Sequence, residues 1–450
     1  MKGLVSRVRD AVRTQLWPLP LLGVFLGLAA GVGLPLLDEA IDESLPLTLS
    51  QLLFGGDADA ARSVLTAVSG SLITVTSLTF SLTVVTLQLA SSQFSPRLLR
   101  TFTSDVFVQV TLALFLTTFT YALTVLRTVR GGQDVFVPRI AVTVSFVLGV
   151  ASVVGLVLFL AHLASQIRVE TMLRDVHQDA TATVGAVLEP RRSPRDRTAV
   201  PSPPDDADVL PAGASGFVTS IDEADVLAAA TRADATVLLR VHPGYSVVEG
   251  TPLGEAWSAR GPLDEDTLDT LRTAVASAVR VGRERTAAQD VGYGLRQLTD
   301  VTNKALSPGI NDPTTAVHAL GHVSALLCQL AGLETGPRLL RERSVDGEPG
   351  RVRAVVLRPT LADLVDVAID QPRRYGAADP QVLDRLYALL AELAWRVDAE
   401  DAGIVRHQLA QLRETTTAQQ LDETHRLALA EAGRRVDRAL DRAQRDPRHR

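Results

Sequence analysis

VLTAVSGSLITVTSLTFSLTVVTLQLA, residues 64–90, sets the architecture of this chain. The stretch carries no charge and is longer than the roughly 20 residues an α-helix needs to cross a ~30 Å hydrocarbon core. It is also rich in hydroxyls. Ser69, Thr76 and Thr83 are seven residues apart, so they nearly eclipse one another on a helix, and Thr79 and Thr86 extend that face. A second row holds Thr74, Ser81 and Gln88, while Val75, Leu78, Leu82, Val85 and Leu89 fill the side assigned to lipid. A hydroxyl in hydrocarbon needs a partner. It can bond the carbonyl one turn earlier, cross to another helix, or face water. The third option makes Ser69, Thr76, Thr79, Thr83 and Thr86 the lining of a wet path.

Three more spans flank this one, at Leu16–Leu37, Val106–Leu126 and Ile140–Leu163. The first follows Lys2, Arg7, Arg9 and Arg13, but its apolar run is too long for a signal peptide and reads as a retained helix. Gly23, Gly27 and Gly31 recur every four residues, a face suited to close helix approach, and Ser145 with Gly149 forms a similar pair. No span has Asp, Glu, Lys or Arg in its middle, which argues against a proton-coupled carrier. The basic amino-terminal segment, with Arg97 and Arg100 after the second span, places both termini in the cytoplasm. The apolar segment Leu45–Phe54 is expected to lie along the outer surface or dip into the bundle.

The rest of the 450 residues carries almost all of the charge. The reading is mainly α: a four-helix transmembrane region at 1–164, a helical extension at 165–189 and a Pro-rich linker at 190–212. A small β-rich module at 213–262, a mainly helical cytosolic domain at 263–440 and a frayed tail at 441–450 complete this α+β half. The extension is expected to continue the fourth span through Ser165–Leu188. The β module resembles part of a biotinyl/lipoyl-like β-sandwich, without a lysine at the hairpin. One helix is expected over Asp264–Arg285, a second over Thr286–Leu306, and a strand near 351–359.

Arg296, Asp300 and Lys304 are spaced four apart on one helix face, with Asp290 earlier and Asn303 beside them. The turn SPGINDP follows, bringing Asn311, Asp312 and the amides of a new helix into reach. This group is a candidate cytosolic ligand or coupling site; the alternative is an exposed ion-pair ladder ending in a capped turn. Of 45 basic residues only Lys2 and Lys304 are lysine, which singles out Lys304. His318 and His322 lack the Glu of a zinc-protease motif, so they read as ordinary helix histidines and no metal site is assigned. The single cysteine, Cys328, excludes a disulfide framework. No Walker loop, dinucleotide fingerprint or Gly-x-Ser-x-Gly elbow is present; no cofactor, catalytic residue or enzyme activity is assigned. A net charge of -6 gives no sign of a nucleic-acid partner.

LQLASSQFSPRLLRTF (87–102) and RQLTDVTNKALSPGINDPTTAV (296–317) resemble the marker stretches of a bacterial family of predicted membrane proteins, domain of unknown function 2254. The resemblance implies an inner-membrane protein of this design and brings no activity with it. In the first stretch Gln88, Ser92 and Gln93 lie at the cytosolic mouth of the second span, with Arg97 at headgroup level. The leading expectation is a homo-oligomeric channel or transport protein in the bilayer, passing a small ion or solute and regulated by its cytosolic domain. A membrane-anchored scaffold or sensor comes second and a tethered enzyme third.

Overall fold

A computed structural model describes residues 17–41, 53–93, 105–131, 135–166, 168–191, 199–343 and 350–445. The chain divides into two compact units, Met1–Thr171 and Met172–Arg450.

The first unit contains four helices long and apolar enough to span a bilayer: α1 (Pro18–Ile41), α2 (Ala58–Gln93), α3 (Val106–Leu126) and α4 (Arg139–Gln166). The starts of α2, α3 and α4 are each fixed by a carboxylate that accepts otherwise orphaned amides. Asp57 accepts from Ala60 N (2.8 Å), and Asp105 from Phe107 N (2.8 Å). For α4 the acceptor comes from another helix: the buried Asp38, near the end of α1, takes Ile140 N at 3.0 Å and Ala141 N at 2.9 Å. A carboxylate at this pole also complements the helix dipole.

Helix α3 is the hub of the bundle, packing on the other three. In its apolar window 44% of residues are buried, against 17–28% in the others, so the outer helices bear most of the lipid-facing surface. Phe115 and Tyr121 are buried on α3, and the Tyr121 hydroxyl donates to Ala141 O of α4 at 2.9 Å. The glycine face of α1 sits directly on α3. A Cβ on Gly23 would lie 2.6 Å from Thr117 Oγ1, one on Gly27 2.6 Å from Thr117 O, and one on Gly31 2.7 Å from Thr124 Cβ. The glycines thus let two backbones meet where neither lipid nor a side chain fits. Most of Leu45–Phe54 lies outside the described residues. Phe54 itself packs partly on the bundle, its N–H donating to Thr143 Oγ1 at 2.9 Å.

The second unit opens with α5 (Val169–Val187), which buries Met172, Leu173, Val176, Ala180 and Val184. The single helix expected through Ser165–Leu188 is instead two. Arg168 N donates to Ser165 O and Thr171 N to Arg168 O, three-residue steps that break the four-residue ladder. Next come β1 (Asp208–Pro211), β2 (Gly216–Ile221), α6 (Glu223–Arg232), β3 (Thr236–Leu239), β4 (Ser246–Val247) and β5 (Pro252–Trp257). After them lie α7 (Glu265–Ala278), β6 (Val279–Gly282), α8 (Tyr293–Ala305), α9 (Pro313–Leu330), β7 (Arg338–Arg341) and β8 (Val352–Val356). The chain closes with α10 (Leu361–Tyr375), α11 (Pro380–Ala394), α12 (Ala402–Thr417) and α13 (Glu423–Arg445).

One sheet has the order β1-β5-β3-β8-β7 and the other β4-β2-β6; all pairings are antiparallel except β3 with β8. The β region therefore reaches beyond 213–262. Val237 pairs with Ala354, a partner no local strand pattern reveals. The likeness to a β-sandwich gives way to sheets with helices packed on them, α6 against β3, β7 and β8 and α7 against β1 and β6. Helix α7 stops at Ala278 rather than Arg285 because Val279–Gly282 leaves it to pair with β2. Gly254 is required by the β3–β5 pairing, since a Cβ there would fall on Leu238 O. The remaining helices pack around Leu326, Leu327, Leu386, Leu389 and Leu390, all fully buried.

Overpacking the α1–α3 contact tests the arrangement. Gly27→Leu is expected to destabilise the detergent-solubilised protein by about 1–3 kcal/mol, read as a lower melting temperature. Gly33→Ala, whose added methyl meets nothing within 4 Å, should leave it unchanged or slightly higher.

Candidate functional site

The five hydroxyls read as a path lining share the inward face of α2. Ser69, Thr79, Thr83 and Thr86 are buried and Thr76 is half-buried. Four of them bond to their own helix: Ser69 to Thr66 O (3.2 Å), Thr76 to Leu72 O (2.7 Å), Thr83 to Thr79 O (2.8 Å) and Thr86 to Leu82 O (2.9 Å). Among the described residues, Thr79 Oγ1 has no hydrogen-bond partner. Helices α3 and α4 are the close neighbours of α2, and they bring further buried polar groups: Thr118, Ser145 and Ser152, with Ser152 donating to Thr118 Oγ1 at 3.2 Å.

A second row has the opposite exposure. Ser63, Ala67, Gly70, Thr74, Ser77, Ser81, Val84 and Gln88 alternate at spacings of four and three and are all exposed. They form one small and hydroxyl-rich seam along α2, flanked by exposed Leu78, Phe80 and Val85. Thr74, Ser81 and Gln88 of this seam were legible as a row; Ser77 and Gly70 complete it. At the end of α2, Gln88 is exposed, Ser92 and Gln93 lie within the helix span, and Arg97 is outside the described residues.

A charged pair of this unit sits at the start of α3. His162 Nε2 lies 2.6 Å from Asp105 Oδ2, and its ring packs 4.6 Å from that of Phe107. This pair and the Asp38 cap were not read from the sequence, because each joins residues far apart in the chain.

In the second unit the seven site candidates do not converge on one point. Asp290 is buried away from the helix face it was grouped with. It accepts from Arg285 Nε (2.9 Å) and Nη2 (2.6 Å) and from Gly292 N (3.1 Å). Burial pushes its carboxyl above the usual range, and Arg285, His242 and the Gly292 amide only partly oppose this. Gly244, at φ +91, lies against it, where any Cβ would collide with the carboxylate. Asp312 is the N-cap of α9: Thr315 N donates to it at 3.0 Å and Thr315 Oγ1 at 2.6 Å. These bonds hold the Asp312 carboxyl below the usual range. Asn311 supplies the left-handed turn at φ 51, and Pro313 takes the first helical position. Lys304 is exposed, and its carbonyl accepts from Ser307 Oγ at 2.7 Å. Asp300 is half-buried on α8.

Arg296 and Asn303 belong to a different feature. Arg296 lines a cleft of about 370 Å³ together with residues of α10 and α12. Asn303 Nδ2 donates at 2.7 Å to Oε1 of Gln371, another lining residue. From α12 come Gln408 and Gln411; Gln408 Nε2 donates to Asp366 Oδ1 at 2.6 Å. The signal for this cleft is the buried Gln408 on an otherwise apolar stripe of α12, beside Val405, Leu409 and Leu412. Elsewhere His322 gains a neighbour, the His177 ring at 5.2 Å; burial and the two nearby histidines, His177 and His318, hold His322 below its ordinary value. Among the described residues no group of three or more His, Cys, Asp or Glu is arranged to hold a metal.

Four apolar spans joined to an α+β unit define an integral membrane protein. The chain belongs to the family described as predicted membrane protein (DUF2254), whose model matches residues 13–392. It is 36% identical over 442 residues to the uncharacterized protein Rv1290c of Mycobacterium tuberculosis, covering 97% of this chain and 82% of that one. The same figures hold for the uncharacterized protein Mb1321c of Mycobacterium bovis. No solved structure matches the chain.

Two carboxylates make separable predictions. Asp290→Ala leaves the Gly292 amide and the Arg285 guanidinium without their acceptor, and should cost about 2–3 kcal/mol in chemical denaturation. Asp312→Asn keeps the cap but removes the titrating charge. The folded value of Asp312 is depressed, so its contribution is full above the ordinary carboxylate range and is lost as pH falls through the folded value. Wild type should exceed this variant by about 0.5 kcal/mol at neutral pH, a gap that closes in melting curves taken well below about pH 4.

Proposed function

We propose that this protein is a homo-oligomeric channel or transport protein of the bacterial inner membrane, with its second unit in the cytosol as a ligand-responsive regulator. Subunits meet around an axis where the exposed row of α2, from Gly70 through Thr74, Ser77 and Ser81 to Gln88, lines the route for a small ion or solute. The observation that carries this reading is that row: small and hydroxyl-bearing side chains exposed along the charge-free stretch of α2 that follows Arg62. Small residues let helices come together, and hydroxyls can replace part of a permeant's hydration shell. A subunit of four helices is thin for enclosing a route alone, which favours assembly.

This assignment moves the lining from the row Ser69, Thr76, Thr79, Thr83 and Thr86 to its neighbour. Side chains shut inside one subunit cannot face an axis between subunits; their burial supports a packing role against α3 and α4. Gln88, Ser92, Gln93 and Arg97 remain the proposed cytosolic mouth. Arg296 and Asn303 remain in the proposed regulatory site, where the cleft lies, while the geometry around Asp290 and Asp312 supports structural roles.

A scaffold or sensor without a route is the second reading. It is favoured by the exposed hydroxyls that bond backward, Thr74 to Gly70 O (3.4 Å) and Ser77 to Ile73 O (2.9 Å), and so need no water. Single cysteines separate the two. In a Cys328→Ala background, residues 77 and 81 are expected to react with a membrane-impermeant thiol reagent while 79 and 83 stay protected, because reaction needs water to form thiolate. Protection of all four in native membranes would end the channel reading.

A further inference from the structure

The cleft between α8, α10 and α12 holds charges that have not neutralised each other. Arg296 projects from α8, and among the described residues no carboxylate pairs with it. Asp366 projects from α10; it accepts one bond, from Gln408, and among the described residues no cation pairs with it. Asp370 also lines the cleft, but its charge is taken by Arg373 (2.9 Å) and Arg374 (2.8 Å). What remains among the described residues is a guanidinium and a carboxylate, each without an ionic partner, on the walls of the same small hollow.

The neutral groups divide in the same sense. Gln408 is 1% exposed, and its Oε1 is a buried acceptor without a partner. It sits beside Asp366, so that end offers acceptors to an ammonium or amide N–H. Gln371 has its carbonyl occupied by Asn303, which leaves its NH2 as a donor on the cleft wall with the Arg296 guanidinium. A buried amide oxygen without a partner is costly, and a bound donor would remove that cost. The volume, about 370 Å³, is near the lower end for small-molecule sites.

We infer that this cleft binds a small zwitterion of the α-amino acid class, its carboxylate on Arg296 and Gln371 and its ammonium on Asp366 and Gln408. The inference rests on the reading of the second unit as ligand-responsive, and it names the ligand class. Binding is measurable without conduction, so a failure here and a failure of the channel reading are told apart.

The test uses full-length protein in detergent. The twenty common amino acids are screened singly by thermal shift, and the strongest is titrated by calorimetry beside its N-acetyl and its carboxamide derivatives. At least one amino acid is expected to bind, with each capped derivative weaker by about tenfold or more, the loss of one charge-assisted contact. Arg296→Gln should remove the preference over the carboxamide, and Asp366→Asn the preference over the N-acetyl compound. Neither side chain anchors the core, so both variants should melt within a degree or so of wild type without amino acid. The inference is overturned if no amino acid shifts the melting temperature. Equal binding of the N-acetyl derivative would overturn it in favour of a plain anion site, and undiminished selectivity in both variants would place binding elsewhere.

Discussion

A polar group in hydrocarbon has no water to fall back on, and the first unit is organised by that constraint. Helix backbones satisfy themselves, so the remaining problem is hydroxyls and helix ends. Most threonines of α2 and α3 solve it locally by reaching the carbonyl one turn back, as Thr83 does to Thr79 O and Thr118 to Leu114 O. The helix ends solve it at long range. Asp38 of α1 closes the start of α4, and Tyr121 of α3 reaches the same turn through Ala141 O. Three helices are thereby tied at one level by a carboxylate and a phenol, and the Gly23–Gly27–Gly31 face holds α1 on α3 along the rest of their length.

Local patterns made the spans readable. Charge-free runs with abrupt polar edges put the first span within a few residues of Pro18–Ile41 and the third at Val106–Leu126. The cap at Asp312 was equally legible, because Asn-Asp-Pro carries its own geometry. Pairings between distant residues were not. The β3–β8 ladder joins residues more than a hundred positions apart, and the strand ending at Gly282 overrode a helical pattern expected to run to Arg285. Asp290 was grouped with Arg296 by spacing, yet α8 starts only at Tyr293, so the two do not share its face. The cleft needs three helices to be assembled before Asp366, Gln371 and Gln408 become neighbours, and periodicity along one helix carries no trace of that.

Titratable groups are distributed differently in the two units. In the first, Asp38 and Asp105 are committed to amides at helix starts, and His162 is committed to Asp105. The span interiors offer only hydroxyls, amides and carbon. Such a surface can replace part of a hydration shell, but it cannot accept and release a proton along the route. Coupling to a proton gradient would find no titratable carrier in the middle of these spans, so the proposed route is a passive one. The second unit holds the opposite resource. Its ion pairs are numerous, but Arg296 and Asp366 stand unpaired by protein among the described residues. If a charged or dipolar signal acts on this protein, the free energy to shift a two-state element must come from differential contacts with groups of this kind. On the proposed reading, the chemistry of response belongs to the α8–α10–α12 cleft and selection by size and hydration to the seam of α2.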